Sequence, residues 1–276
     1  MIQQGKSKLL SAAAIVGLLI SSHSLNAAIL YDQNVTPDII NGTGIANGSF
    51  TVDRANGVEL GLRGKLRHNA SGSPENTFNS NGDGTYSFDA GVAPTQSSPT
   101  GVWSFEWSIN SDWDGSASTD IGNGRTTPRA LDQLTYLLGY DSDPTLATSY
   151  SEFDPINTDP TDTVPDHALG TNGTANGGGT SYNSSYGDYE TAIGANNVAQ
   201  NSWKAHWFLT SFDPTLDGQY DFYLKAFDGA TLLAQTNMSI IVGNGATASV
   251  PEPGSLALLC LGLLGFAAVR KKGLAR

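Results

Sequence analysis

Residues 102–110 read VWSFEWSIN, in which Trp103, Phe105, Trp107 and Ile109 alternate with Ser104, Glu106 and Ser108. A period of two sends successive side chains to opposite faces of an extended chain, so this stretch is predicted to be a half-buried strand, aromatic inward and polar outward. Whatever else the chain does, it must supply a second layer to cover that aromatic face.

Other segments offer partners. SFTVDRANGVELGLRGKLR places Phe50 and Val52 before an Asn56-Gly57 pair and Val58, Leu60 and Leu62 after it, the pattern of a β-hairpin. DGQYDFYLKAFDGATLLAQTNMSIIVG reads as two long antiparallel strands around Asp228-Gly229. Further candidate strands are AILYD, TYSFDAG, LDQLTYLLGY and SWKAHWFLTSF. With 32 glycines and only 14% charged residues, the composition suits short strands joined by turns and argues against a helical bundle. Asp217-Gly218-Gln219-Tyr220 resembles the tyrosine corner of immunoglobulin-like domains. The expected fold is therefore mainly β: a single β-sandwich, immunoglobulin-like or jelly-roll, with a long polar loop. That loop is a flexible insertion over about residues 155–200, poor in apolar residues and carrying Gly177, Gly178 and Gly179 in a row.

The two ends differ from the body. Residues 1–27 carry Lys6 and Lys8, an apolar run from Leu9 to Ile20, and small residues at Ala27 and Ala28, which is the grammar of a secretory signal peptide. At the other end, Gly254 to Val269 are 16 residues without a charge, predicted to form a transmembrane helix of about 24 Å against a hydrocarbon core of roughly 30 Å. Arg270, Lys271 and Lys272 follow as the membrane stop and mark the cytoplasmic side, which leaves the body outside. The only cysteine, Cys260, lies in this apolar run, so the body at 28–249 has neither disulfides nor thiol chemistry.

Val250-Pro251-Glu252-Pro253, the apolar segment and the basic cluster, taken with the signal peptide, resemble the PEP-CTERM sorting signal of Gram-negative, exopolysaccharide-producing bacteria. The resemblance covers residues 250–276 and concerns sorting alone. It implies secretion machinery and an exosortase as partners, transient inner-membrane insertion, cleavage near the Pro-Glu-Pro, and a final place at the cell surface or in the extracellular matrix. Pro251 and Pro253 lack amide donors and fix their own backbone angles, which keeps the segment extended and open to a protease.

Without its ends the body has eight basic residues against 25 acidic ones, a formal charge of −17. Such a surface repels phosphate backbones, so nucleic acid is excluded as a partner, while cations are attracted. Calcium is the one cofactor with a candidate site: Asn79, Asn81 and Asp83 alternate before Gly84, although Ala90 stands where an EF-hand loop has its bidentate Glu. No nucleophile elbow, P-loop or zinc motif occurs, and His68, His167 and His206 lie in different segments without metal-ligand spacing. Trp103, Trp107, Trp203 and Trp207 fall in strand patterns and are predicted to pack in the core. Tyr182, Tyr186 and Tyr189 lie in the polar loop, where they are candidates for glycan contact. The chain thus reads as a non-enzymatic exported protein with a structural or adhesive role in a biofilm or exopolysaccharide. The alternatives are a carbohydrate-binding module and, further off, a glycan-active hydrolase using a carboxylate pair such as Glu106 with another acid.

Overall fold

The computed structural model describes residues 28–122, 125–158, 165–182, 185–209 and 211–246. Among them are thirteen strands and one α-helix. In chain order these are β1 (Leu30–Gln33), β2 (Phe50–Ala55), β3 (Val58–Leu66), β4 (Thr85–Phe88), β5 (Trp103–Asn110), β6 (Thr119–Gly122), β7 (Arg125–Thr127), β8 (Thr135–Asp141), β9 (Tyr150–Phe153), β10 (Ala168–Gly170), α1 (Tyr186–Ile193), β11 (Val198–Lys204), β12 (Gly218–Asp228) and β13 (Thr231–Val242).

Asn56 and Gly57 both adopt positive φ, +52° and +77°, as a two-residue hairpin turn requires, and β2 and β3 pair around them. β3 then pairs with β5, and β5 with β11, in a six-stranded sheet of order β1-β2-β3-β5-β11-β10. The second hairpin turns at Gly229-Ala230, with Gly229 at φ +56°, and its strands sit inside a five-stranded sheet of order β4-β13-β12-β8-β9. All described pairings between strands are antiparallel except that of β13 with β4. β6 and β7 form a separate two-stranded ribbon.

The aromatic face of β5 meets the apolar face of β12 in one core shared by both large sheets. The Phe105 and Phe222 ring centroids are 4.5 Å apart, and Trp103 packs 5.6 Å from Tyr220 and edge-on, at 5.8 Å, to Phe212. Buried aromatics of this size each contribute on the order of 2–3 kcal/mol from area alone. Tyr220, the residue of the expected corner, is thus a core aromatic. A glycine in mid-strand lets the sheets close: a Cβ at Gly64 would lie 2.8 Å from Tyr86 Cβ and from the Phe88 ring.

The opposite face of β5 departs from expectation. Ser104, Glu106, Ser108 and Asn110 alternate with the aromatics as predicted, yet all are buried, so the strand is covered on both sides. Much of the cover, to which Phe78 on Arg63 and Asn172 on Asn110 add, is the segment 34–49, which lies as a strap across the outer face of the six-stranded sheet. Its Val35 and Ile39 pack on Phe50 and Val52. Its Ile40 packs on Ala168 and Val198. Polar side chains of the sheet satisfy its backbone: Gln200 accepts from Ile40 N–H at 2.8 Å and donates to the Asp38 carbonyl at 2.8 Å, and Asn110 donates to the Thr36 carbonyl at 3.0 Å. The strap also braces itself, Asn47 exchanging two hydrogen bonds with the Val35 backbone.

Two further expectations are corrected. The stretch around 155–200 is not a bare polar loop in its described parts, because it contributes β10, α1 and the start of β11. Its polar side chains work as internal hydrogen-bond partners: the Asn172 carbonyl oxygen accepts from both Asn110 and Asn197, at 2.7 and 2.9 Å. In SWKAHWFLTSF the strand stops at Lys204, where a 3₁₀ turn, Ala205–Trp207, takes over.

Candidate functional site

Five of the body's eight cations, Arg54, Arg63, Lys65, Arg67 and Lys204, lie on the six-stranded sheet or just past one of its strands, and the deepest are paired. Arg63 Nε donates to Glu106 Oε2 at 2.6 Å, and Lys65 Nζ lies 3.3 Å from Glu106 Oε1. The Arg63 guanidinium is also held between the rings of Phe50 and Phe78, at 4.2 and 3.8 Å, and its Nη1 donates to the strap carbonyls of Ala46 and Gly48. Burial alone would raise the Glu106 carboxyl, but the two cations and their hydrogen bonds outweigh it and hold the group below its ordinary value. A neighbouring pair, Arg54 with Glu59 at 2.6 Å, fastens the strap through Thr36 N–H, which donates to Glu59. Glu106, the acid considered for glycan hydrolysis, is therefore committed to two cations beneath a cover and is 4% exposed.

The aromatics considered for sugar contact are placed the other way round from expectation. Tyr186 and Tyr189 are three residues apart on α1, a spacing that puts both on the face turned to the core. Tyr189 is 1% exposed; its hydroxyl donates to the Ile156 carbonyl at 2.7 Å and meets His167 Nε2 at 2.9 Å. Burial pushes the Tyr189 phenol well above its ordinary value. The Tyr186 hydroxyl donates to the Thr158 carbonyl at 2.7 Å, and Tyr182 packs half-buried against the same core. His167, fully buried, packs edge-on to Trp107, with ring centroids 5.1 Å apart.

Trp103, Trp107 and Trp203 are buried as predicted, but Trp207 is 53% exposed. Continued alternation from Trp203 would have turned it inward, and the 3₁₀ turn after Lys204 rotates it out. Lys204 Nζ lies 5.6 Å from the indole centroid and the His206 ring centroid 6.1 Å from the Trp207 ring centroid. Burial, followed by the nearby charges of Lys204 and His68, lowers the His206 pKa; burial and then Arg67 lower that of Lys204. Arg67 and His68 are held to Val102 by their N–H groups and Lys204 is in register with Ser104 two residues on, which brings Arg67, His68, Lys204 and His206 to one end of the sheet beside an exposed indole. Lys204, His206 and Trp207 fall within four residues of an acidic chain, and that clustering was the signal available in the sequence.

His68 also lines an open cleft of about 650 Å³ between the 66–79 and 87–102 segments, together with Glu75, Asn79 and Asp89. The residues considered for calcium lie at or near this cleft and are engaged locally. Asn79 Nδ2 donates to the Ser87 carbonyl, Asn81 Nδ2 to the Thr85 and Ser87 hydroxyls, and Asp83 Oδ1 accepts from Thr85 N–H and Oγ1–H. Hydrogen bonds to Thr85 hold the Asp83 carboxyl below its ordinary value. The three side chains act as a loop clasp of the Asx type. Among the described residues no group of three or more His, Cys, Asp or Glu is disposed to hold a metal ion.

Val250, Pro251, Glu252 and Pro253, the apolar run at 254–269 and the stop residues Arg270, Lys271 and Lys272 lie outside the described residues, as does the leader at 1–27. Among the described residues no helix is long and apolar enough to cross a membrane. No curated protein and no solved structure matches the chain. Residues 249–272 match the model of the PEP-CTERM protein-sorting motif. The chain carries the C-terminal sorting signal of exosortase substrates, which makes it an exported protein with a membrane-anchored processing intermediate and an exosortase as its processing partner.

Proposed function

We infer that the processed body is a non-enzymatic structural or adhesive component of the cell surface or of an extracellular polysaccharide matrix. In this reading the two large sheets constitute a single β-sandwich that exosortase cleavage releases or transfers. The observation that carries the reading is the sorting motif at 249–272, joined to an acidic β body.

Intact mass of the protein recovered outside the cell, from hosts with and without exosortase, tests the reading together with fractionation of the surface polysaccharide. The expected result is loss of the leader and of the residues after the Pro-Glu-Pro only where exosortase is present, with the cut body in the polysaccharide fraction. A cut body found wholly free in the medium would remove the matrix role. A second reading, carbohydrate binding, is favoured by one observation, the exposed Trp207 indole.

A further inference from the structure

We propose that the end of the six-stranded sheet carrying Lys204 and Trp207 binds an anionic polysaccharide, its sugars bearing carboxylates. Lys65, Ser104 and Lys204 form one row across β3, β5 and β11, because both lysines are in register with Ser104. Lys65 is paired with Glu106, which it shares with Arg63, whereas neither Lys204 nor Arg67 has a carboxylate partner among the described residues. Arg67 is brought to the same corner by its own N–H and that of His68, which both donate to the Val102 carbonyl just before β5 begins, at 2.8 and 3.0 Å. A body of formal charge −17 repels a polyanion over most of its surface, so the ligand is confined to the one corner where unpaired cations gather.

The indole selects the kind of anion. A half-exposed Trp ring offers an apolar face to the C–H face of a pyranose, and the ammonium over the ring, 5.6 Å from its centroid, and the neighbouring guanidinium supply donors to a carboxylate on the same sugar. A small inorganic anion would use the cations and leave the indole wet. This deepens the matrix reading and rests on it for its setting, while the binding itself is tested independently of sorting.

The test uses the protein recovered from an exosortase-competent host, titrated with polygalacturonate and with neutral dextran at low and at physiological salt. The expected result is salt-weakened binding to polygalacturonate with little to dextran. Trp207→Ala and Lys204→Glu each weaken it by about tenfold or more. Lys225→Glu, the same charge change on β12 in the other sheet, leaves affinity within about twofold. Absence of binding, equal loss in Lys225→Glu and Lys204→Glu, or unchanged affinity in Trp207→Ala each overturns the proposal. If polygalacturonate is not bound but Lys204→Glu abolishes self-association seen by sedimentation, the corner takes the acidic surface of a second copy and the glycan is wrong. Failure of the matrix reading shows in the mass and fractionation experiment and leaves this binding result untouched.

Discussion

Lys65 and Lys204 stand in one cross-strand row, each in register with Ser104 from opposite sides, yet one is sealed against Glu106 and the other reaches out over an indole. The same residue type on the same face of the same sheet thus has two fates, set by what covers it. At Lys65 the cover is complete and a carboxylate is required; at Lys204 the sheet ends and the charge meets solvent.

Glu106→Gln removes the only carboxylate that, among the described residues, is paired with Arg63 and Lys65, and strands two buried cations. The expected loss of stability is about 3–5 kcal/mol, measured by denaturant unfolding. A triple change of Arg63, Lys65 and Glu106 to apolar residues of similar volume recovers part of this, and falls short of the parent because Arg63 also holds the strap carbonyls of Ala46 and Gly48.

The same carboxyl sets an acid limb. Its folded-state value lies below the ordinary 4.5, so its contribution is present above that value and is lost as pH falls from there through the folded one. Melting temperatures recorded from about pH 7 down to about pH 2 are expected to fall more steeply for the parent than for Glu106→Gln, so that the two curves converge at the acid end. Parallel curves would mean that the triad does not carry the acid sensitivity.

Tyr189→Phe deletes a hydroxyl that satisfies both Ile156 and His167. Because both partners are then left buried without it, the expected cost is about 1–3 kcal/mol. Polysaccharide binding by this variant, measured in the titration that tests Trp207, is expected to be unchanged, since the ring is closed to solvent.

Local signals in the sequence specified local structure. Asn56-Gly57 and Asp228-Gly229 each mark a hairpin because a tight turn needs positive φ, and the alternation of Trp103, Phe105 and Trp107 gives a strand because packing selects period two. What escaped was decided at long range. Nothing near Glu106 announces a strap whose Ile40 hydrogen-bonds Gln200 from 160 positions away. Segment 34–49 has no periodicity to betray it, since its backbone is satisfied largely by side chains, with the N–H groups of Gly177 and Gly179 donating to the Ile39 and Ile40 carbonyls, instead of by a strand ladder. Trp207 was misassigned because a 3₁₀ turn replaces the extended chain after Lys204 and reverses which side of the backbone faces the core, and Tyr189 because a short helix with little apolar content around it reads as an exposed loop.

The strap also fixes an order of events. A chain delivered across a membrane from its N-terminal end releases residues 34–49 early and β11 only after about 150 further residues, so the early segment has no complete surface to close upon until most of the body has crossed. Contacts of such long sequence separation form slowly because the loop between them must first be closed. The polar row of Glu106, Asn110 and Gln200 therefore stays wet during transit, and the molecule acquires its finished, doubly covered sheet only on the far side.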